Sequence, residues 1–421
     1  MELIDEILQR ENVLTSIELV RRKGGAPGVD GMTVDDLRLL PESHWSRIAK
    51  EVLDGTYMPQ PVRKVEIPKP GGGVRTLGIP TVVDRVLQQA VLQKLQPIFD
   101  PTFSDASFGF RPNRGAHGAI ERARMHMASG RRWVVDLDLE KFFDRVNHDV
   151  LMARVARRVK DKRVLLLIRR YLQAGMMEGG LVSARAEGTP QGGPLSPLLS
   201  NILLDELDKE LEQRGHRFVR YADDCNVYVH SQAAGARVMT SLERFLREKL
   251  RLKINQAKSA VARPWERRFL GYTVSRDKRP KLKVAPESVK RLRQKLQPIL
   301  RAGRGRAIRH TVARLSPILA GWKTYFSKAD CVDVFETLDR WIRRSLRGLI
   351  WRQWKRPNIR VQQLKQRGLT PVEASLVAYN GRGPWFTSGT RLLGQALPSQ
   401  LFERLGLASL AVRQRRIECT V

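Results

Sequence analysis

Cysteine is scarce in this sequence. Its three residues, Cys225, Cys331 and Cys419, lie far apart and form no Cys-x-x-Cys pair. A disulfide framework and a cysteine-built zinc finger are thereby excluded. No apolar run reaches the roughly 18 residues that a membrane span requires. The start of the chain, Met1-Glu2-Leu3-Ile4-Asp5-Glu6, carries acids where a secretory signal carries bases, so the expected compartment is the cytoplasm. Repeats and low-complexity tracts are missing as well. What remains, 42% hydrophobic and 28% charged over 421 residues, is the composition of a globular chain long enough for two or three domains.

Acidic charge is the other shortage. Lys and Arg number 76 against 43 Asp and Glu, a net charge of +33 with an isoelectric point near 10.9. So basic a chain is built to meet a polyanion, and nucleic acid is the first expectation. No lipidation motif favours a membrane surface. The imbalance is uneven. Residues 1–275 hold 44 basic and 34 acidic side chains, and residues 276–421 hold 32 and 9. The last third is therefore a polyanion-binding surface, and catalytic carboxylates belong in the first part.

Turn and periodicity signals give a coarse architecture. Residues 1–60 read as helices interrupted by the loop Gly24–Gly31. A hairpin follows, with Val62–Lys69 and Val74–Ile79 joined through Pro70-Gly71-Gly72-Gly73. Helices are expected over 82–98, about 114–129, 149–172 and about 234–250, with strands over 133–139, 217–221 and 226–229. Residues 194–211 are a loop running into a helix. Three basic amphipathic helices fill 285–355. In the last, Val334, Phe335, Leu338, Trp341, Ile342 and Leu349 mark the apolar face. Pro357, Gly368, Gly381, Gly383 and Pro384 divide the tail.

Two acidic elements stand out. Two β-like flanks, Arg217–Tyr221 and Asn226–Val229, enclose the adjacent acids Asp223 and Asp224. Neighbouring carboxylates repel, so at least one pKa rises unless a cation relieves the pair. Alone, this is also the composition of an ordinary hairpin turn. The second element, Val134-Val135-Asp136-Leu137-Asp138, begins as a buried strand and ends in acids, where α/β-type proteins place chemistry. Phosphoryl and nucleotidyl transfer need positioning and cations, and hard cations need convergent carboxylates.

With these residues in view, the chain resembles reverse transcriptases, and specifically those encoded by group II introns that also act as maturases. Tyr221-Ala222-Asp223-Asp224 matches their palm motif. Asp138-x-x-x-Phe142-Phe143-Asp144 matches their first aspartate motif. Gly188-Thr189-Pro190-Gln191-Gly192-Gly193-Pro194-Leu195-Ser196-Pro197 and Leu270-Gly271-Tyr272 match later blocks. The resemblance covers nearly the whole chain. It implies an α+β, right-hand polymerase fold. An antiparallel palm sheet flanked by helices and fingers (61–280) follows an N-terminal extension (1–60). An α-helical thumb, or maturase X domain (281–360), and a small basic DNA-binding region (361–421) come after. Gly383-Pro384-Trp385-Phe386 belongs to that last part.

The resemblance also implies roles. Asp138, Asp223 and Asp224, with the Leu139 backbone carbonyl, would hold two Mg²⁺ ions, Mn²⁺ being a substitute. Phe143 would lie under the incoming sugar and reject a ribose 2′-hydroxyl. Lys69, Arg75 and, less centrally, Arg63 would meet the triphosphate from the hairpin. Gln191 would contact the nucleotide or the templating pair, and Lys258 would be a further active-site lysine. The 24–31 loop would touch template and intron RNA. Trp322, Tyr325, Trp341, Trp351, Trp354 and Trp385 are expected to be mostly core. The partners implied are group II intron RNA, an RNA template, a DNA primer or target, and dNTPs. Because the chain stops at Val421 without paired cysteines, it resembles the compact class C proteins that lack an endonuclease and depend on existing primers. The expected function is RNA-directed DNA synthesis together with intron splicing and mobility. A splicing cofactor with a dead polymerase and a free-standing domesticated enzyme of defence or repair are the alternatives. Intact Asp138, Asp223 and Asp224 speak against the first, and the full maturase-like region speaks against the second.

Overall fold

The computed structural model describes residues 2–68, 73–178, 181–183, 187–189 and 192–411. The chain divides into two compact units, Met1–Arg267 and Arg268–Val421.

In the first unit, α1 (Leu3–Leu8), α2 (Arg10–Lys23) and α3 (Glu42–Leu53) precede the hairpin β1 (Val62–Pro68) and β2 (Val74–Ile79). α4 (Val82–Phe99) starts at Thr81, whose hydroxyl accepts from the Asp84 N–H at 3.1 Å, a standard N-cap. Its Val82, Val86, Ala90 and Val91 are fully buried. α5 (Ala116–Ala128) leads to β3 (Trp133–Leu137), which ends two residues short of the expected Leu139. The helix expected over 149–172 is two helices, α6 (His148–Val155) and α7 (Lys162–Gln173). The break has a cause. The Asp161 carboxylate accepts from the Arg163 N–H at 2.9 Å and caps a new helix. It also accepts from the Ile4 N–H at 2.9 Å, tying α1 to α7.

Next come β4 (Met176–Glu178) and β5 (Leu181–Ser183), then α8 (Ser196–Gln213). The β6 (Arg217–Tyr221) and β7 (Asp224–Val229) hairpin follows, its second strand starting at Asp224 rather than at the expected Asn226. α9 (Gln232–Phe245) gives way to a π-helical turn at Leu246–Leu250 instead of continuing as α-helix, and β8 (Ala260–Ala262) ends the unit's strands.

Two four-stranded sheets result. One has the order β2-β1-β4-β5, and the other β6-β7-β3-β8. The second is wholly antiparallel. Its central β3 buries Val134 and Val135 on opposite faces, the pattern of a strand covered on both sides. α9 packs on β3, and α5 and α8 pack on β6. The apolar cluster they form runs from Ile4 through Leu203 and Val227 to Ile254.

The second unit opens with the antiparallel pair β9 (Tyr272–Val274) and β10 (Leu282–Val284). The three expected helices are α10 (Pro286–Ala302), α11 (Ile308–Tyr325) and α12 (Val332–Gln353). Short helices complete it: α13 (Pro357–Lys365), α14 (Pro371–Ala378), α15 (Pro384–Thr387), α16 (Arg391–Ala396) and α17 (Ser399–Arg404). Leu292, Leu296 and Leu300 of α10, at four-residue spacing, meet Leu315 and Leu319 of α11 and Leu338, Ile342 and Leu346 of α12. That spacing lines one face of a helix. Leu364, Leu393 and Phe402 from the short helices enter the same cluster.

The aromatics expected in the core divide. Trp351 is buried, and Trp322, Trp341 and Trp354 are partly buried against the cluster. Tyr325 and Trp385 are exposed. Trp385 carries the Arg344 guanidinium 4.2 Å from its ring, and Arg344 also donates to the Trp385 carbonyl at 2.8 Å. An arginine cover makes solvent exposure of the indole tolerable without core burial. The α+β class, with an antiparallel sheet flanked by helices and a helical second unit, is as expected. No helix among the described residues is long and apolar enough to cross a membrane.

Candidate active site

The carboxylates converge because of strand register. β3 pairs with β7 from Trp133↔Val229 to Leu137↔Cys225. One step further along both strands stand Asp138 and Asp224. β6 pairs with β7 so that Tyr221 faces Asp224, which leaves Ala222 and Asp223 as the two-residue tip. Ala222 lies at φ +57°, a left-handed conformation that alanine adopts only under constraint.

Asp138 is pinned through its backbone. Its N–H donates to the Ser259 hydroxyl at 3.0 Å, and its carbonyl accepts from the Asn255 N–H at 2.8 Å. The next bond of this pairing runs from the Glu140 N–H to the Lys253 carbonyl at 2.9 Å. The pairing thus uses the carbonyl of Asp138 and the N–H of Glu140, not the Leu139 carbonyl. Lys258 Nζ lies 3.6 Å from the Asp138 carboxylate. Asp136, the other acid of β3, is engaged differently: Arg267 binds it through Nε at 2.7 Å and Nη2 at 2.6 Å.

The electrostatics follow from this crowding. Asp224 presents area to solvent, yet its carboxyl is pushed up to about 7, first by desolvation and then by the charges of Asp223, Asp138 and Asp136. Asp223 is raised too, by desolvation first and then by Asp138, while Arg75 and Lys258 oppose the rise. Arg75 on β2 therefore acts on Asp223 through space. On the β1–β2 hairpin Arg75 pairs with Ile67. Arg63 and Ile67 are four residues apart on β1, so Arg63 and Arg75 share one face. Lys64, on the opposite face, is occupied by Glu66 at 3.0 Å and Glu178 at 2.9 Å.

Three hard carboxylates, two of them with raised pKa values, have the donor chemistry that suits a divalent cation of the Mg²⁺ type. Among the described residues no group of three or more Asp, Glu, His or Cys side chains is gathered at ligating distance. The fit to such an ion rests on the donor chemistry of Asp138, Asp223 and Asp224 and on the strand register that places them at one end of the sheet, not on a preformed ligating cluster among the described residues.

Phe143 lies in the one-turn helix Phe142–Asp144, entered through Lys141 at φ +48°. Its ring is largely buried and meets Phe142 edge-on at 5.2 Å. The Phe143 carbonyl accepts from the Thr189 N–H at 2.6 Å, and the Gly188 N–H donates to the Val146 carbonyl at 2.8 Å. Gly188 is required here. It sits at φ +93°, and a Cβ would stand 2.9 Å from the Phe143 carbonyl oxygen. The His148 imidazole Nε2 reaches the Gly188 carbonyl at 2.7 Å. The Gly188–Thr189 block thus holds the segment that carries Phe143. Lys69 and Gln191 lie outside the described residues. Their neighbours Pro68 and Gly192 are placed: Gly192 packs on Gly78 of β2, where an added Cβ would stand 2.7 Å from the Gly78 carbonyl oxygen.

Sequence reading missed a second layer under the turn. Arg220, the residue before Tyr221, is fully buried. It binds Asp208 bidentately, with Nε to Oδ1 at 2.7 Å and Nη2 to Oδ2 at 2.6 Å, and its Nη1 donates to Asn201 Oδ1 at 2.9 Å and to the Ala222 carbonyl at 3.0 Å. Asn201 Nδ2 donates in turn to the Gly109 carbonyl at 2.9 Å. Asn201 and Asp208, seven apart, lie on one face of α8. No sequence signal short of this contact marks them.

A family model described as reverse transcriptase (RNA-dependent DNA polymerase) matches residues 67–274, and one described as group II intron, maturase-specific domain matches residues 289–368. Protein YkfC of Escherichia coli (strain K12) is 41% identical over 202 residues, 47% of this chain and 53% of that protein. The group II intron-encoded protein LtrA of Lactococcus lactis subsp. cremoris is 41% identical over 180 residues, 42% of this chain and 30% of LtrA. The putative COX1/OXI3 intron 2 protein of Saccharomyces cerevisiae is 28% identical over 323 residues, 62% of this chain and 37% of that protein. The chain thus spans about half or less of the length of these curated relatives. With an acidic turn and strand end inside the first match and a helical, basic segment in the second, the chain is thus similar to reverse transcriptases over residues 67–274 and to the group II intron maturase-specific domain over residues 289–368.

Proposed function

We propose that this protein is an RNA-directed DNA polymerase that also binds its group II intron RNA as a maturase, supporting splicing and mobility. The observation that carries the polymerase reading is the register of β3, β7 and β6. It brings Asp138, Asp223 and Asp224 to one end of the antiparallel sheet, where burial and the Asp138 charge raise the carboxyls of Asp223 and Asp224. Asp138, Asp223, Asp224 and the Leu139 carbonyl are the groups to hold two Mg²⁺ ions, or Mn²⁺. When bound, such ions supply positive charge to the attacking and leaving oxygens of an in-line transfer.

The chain's own groups do the rest. Arg75 and Arg63, on one face of the β1–β2 hairpin, donate to the triphosphate, with Lys69 at the same hairpin and Lys258 beside Asp138 adding charge. Phe143, locked through Thr189, leaves no room for a 2′-hydroxyl, so deoxynucleotides are selected by exclusion. Gln191 contacts the nucleotide or the templating base. We assign residues 1–60 to an N-terminal extension, 61–280 to fingers and palm, 281–360 to the thumb or maturase X domain, and 361–421 to a small basic DNA-binding region. The excess of basic residues after position 275 supports backbone contacts to an RNA partner. The protein acts in the cytoplasm, on the nucleoid when DNA is the target.

Extension of a DNA primer on an RNA template with dNTPs and Mg²⁺ tests the polymerase reading, and splicing of the cognate intron RNA with added protein tests the maturase reading. No Mg²⁺-dependent cDNA would sink the first. If RNA binding and splicing persisted, the protein would be a splicing cofactor alone.

A further inference from the structure

The acidic turn is held in a conformation that its own sequence disfavours. Ala222 is not glycine, yet it lies at φ +57°. Such residues persist only where the surroundings over-determine them. Here the surroundings come from three separate parts of the chain. From α8, Asp208 and Asn201 grip the Arg220 guanidinium. From the loop before α5, the Ala106 carbonyl accepts from the Arg220 N–H at 2.9 Å and the Phe108 N–H donates to the Arg220 carbonyl at 2.9 Å. Gly109 of that loop is so close that a Cβ would stand 2.2 Å from the Ala222 nitrogen. From below, Arg220 Nη1 donates to the Ala222 carbonyl at 3.0 Å.

Stability is a poor reason for this arrangement. Arg220 and Asp208 are both fully buried. Well-packed apolar residues of similar volume in place of a buried ion pair are often neutral or stabilising, whereas removing one partner strands a charge. What an apolar pair cannot supply is the branch from Arg220 to the Ala222 carbonyl. A guanidinium is suited to that task, because its planar fork serves a carboxylate bidentately while a third N–H points elsewhere.

We infer that Arg220 is a positioning residue for the Ala222–Asp223 tip, held by Asp208 and Asn201 of α8, and that this buried frame sets the orientation of the turn's carboxylates for nucleotidyl transfer. The inference rests on the proposed catalytic role of the Tyr221–Asp224 turn. Arg220 touches no substrate. Its effect falls on the rate of the chemical step and not on nucleotide binding, because the hairpin arginines that meet the nucleotide belong to a different sheet.

The test uses the full chain and two variants. The double variant Arg220→Met with Asp208→Leu removes both charges at similar volume. Arg220→Lys keeps a cation for Asp208 but lacks the third branch. Each is measured for melting, for kcat and the KM for dNTP in primer extension on RNA, and for amide hydrogen exchange over residues 218–226. The expected result is a folded double variant with a KM within about twofold of wild type, kcat lower by about a hundredfold, as a misplacement near 1 Å produces, and faster exchange in the turn. Arg220→Lys shows the same direction, less severely. If the double variant does not fold, Arg220→Lys decides. A folded variant with wild-type kcat and wild-type turn exchange would overturn the inference. An inactive wild type would instead defeat the proposed polymerase function. The exchange readout would still decide whether Arg220 holds the turn, faster exchange in a folded variant supporting that hold and unchanged exchange refuting it.

Discussion

At the scale of single residues, the proposed site separates side chains assigned the chemistry from those assigned to place them. Asp138, Asp223 and Asp224 crowd one end of the sheet, while the neighbouring Asp136 is paired with Arg267. Phe143 offers a direct test of the sugar gate. Phe143→Ala should weaken discrimination against ribonucleotides by roughly 10- to 200-fold, read as the ratio of kcat/KM for dNTP and rNTP. Unchanged discrimination would remove the gate. The ring is mostly buried, so the alanine also costs about 3–5 kcal/mol of stability, and the ratio is measured well below the melting temperature. The acids stood out in the sequence because their strand-end and turn settings are local, whereas the reading of Phe143 came only from the family resemblance. Arg220, Asp208 and Asn201 did not stand out. Their partnership joins a strand to a helix face, and each taken alone reads as a solvated polar residue.

At the scale of elements, long periodic helices and the paired strands of the two hairpins were legible, since burial periodicity and turn chemistry are written locally, although the expected turn residues Pro70, Gly71 and Gly72 lie outside the described residues. The short strands β4, β5, β8, β9 and β10 were not. Each is three residues long, too short for alternation to show, and each exists only because a longer neighbour or another short strand offers a ladder. The α6–α7 break was hidden for a different reason. Val150, Leu151 and Val155 continue into Val159 and Val164 without an apolar gap, and the signal lies in Asp161 as a cap. Because Asp161 serves both Arg163 and Ile4 N–H groups, Asp161→Ala should destabilise the first unit by about 1–2 kcal/mol. Denaturant unfolding followed by a probe in that unit checks this. A change within about 0.5 kcal/mol, as for an ordinary surface substitution, would show that the break does not depend on the cap.

At the scale of the whole molecule, charge is divided as the chemistry requires. The acids of the proposed cation site lie in the first unit, while Lys and Arg exceed Asp and Glu most strongly after residue 275, where the proposed RNA binding would use them. Binding of that kind releases counterions, so RNA affinity should fall by about 10³–10⁵ between 50 and 200 mM salt if 6–10 phosphates are contacted. Filter binding or fluorescence anisotropy at graded salt measures the slope. A flat dependence would mean that the basic surface is not the RNA-binding surface.

The most direct test of the account is to compare Asp223→Asn with wild type for Mg²⁺-dependent cDNA synthesis on an RNA template, with intron RNA binding measured on the same preparations. The account predicts that the variant loses cDNA synthesis and keeps its RNA affinity, because a carboxylate that holds cations is removed without a change to the basic surface. Near-normal polymerisation by Asp223→Asn would contradict it.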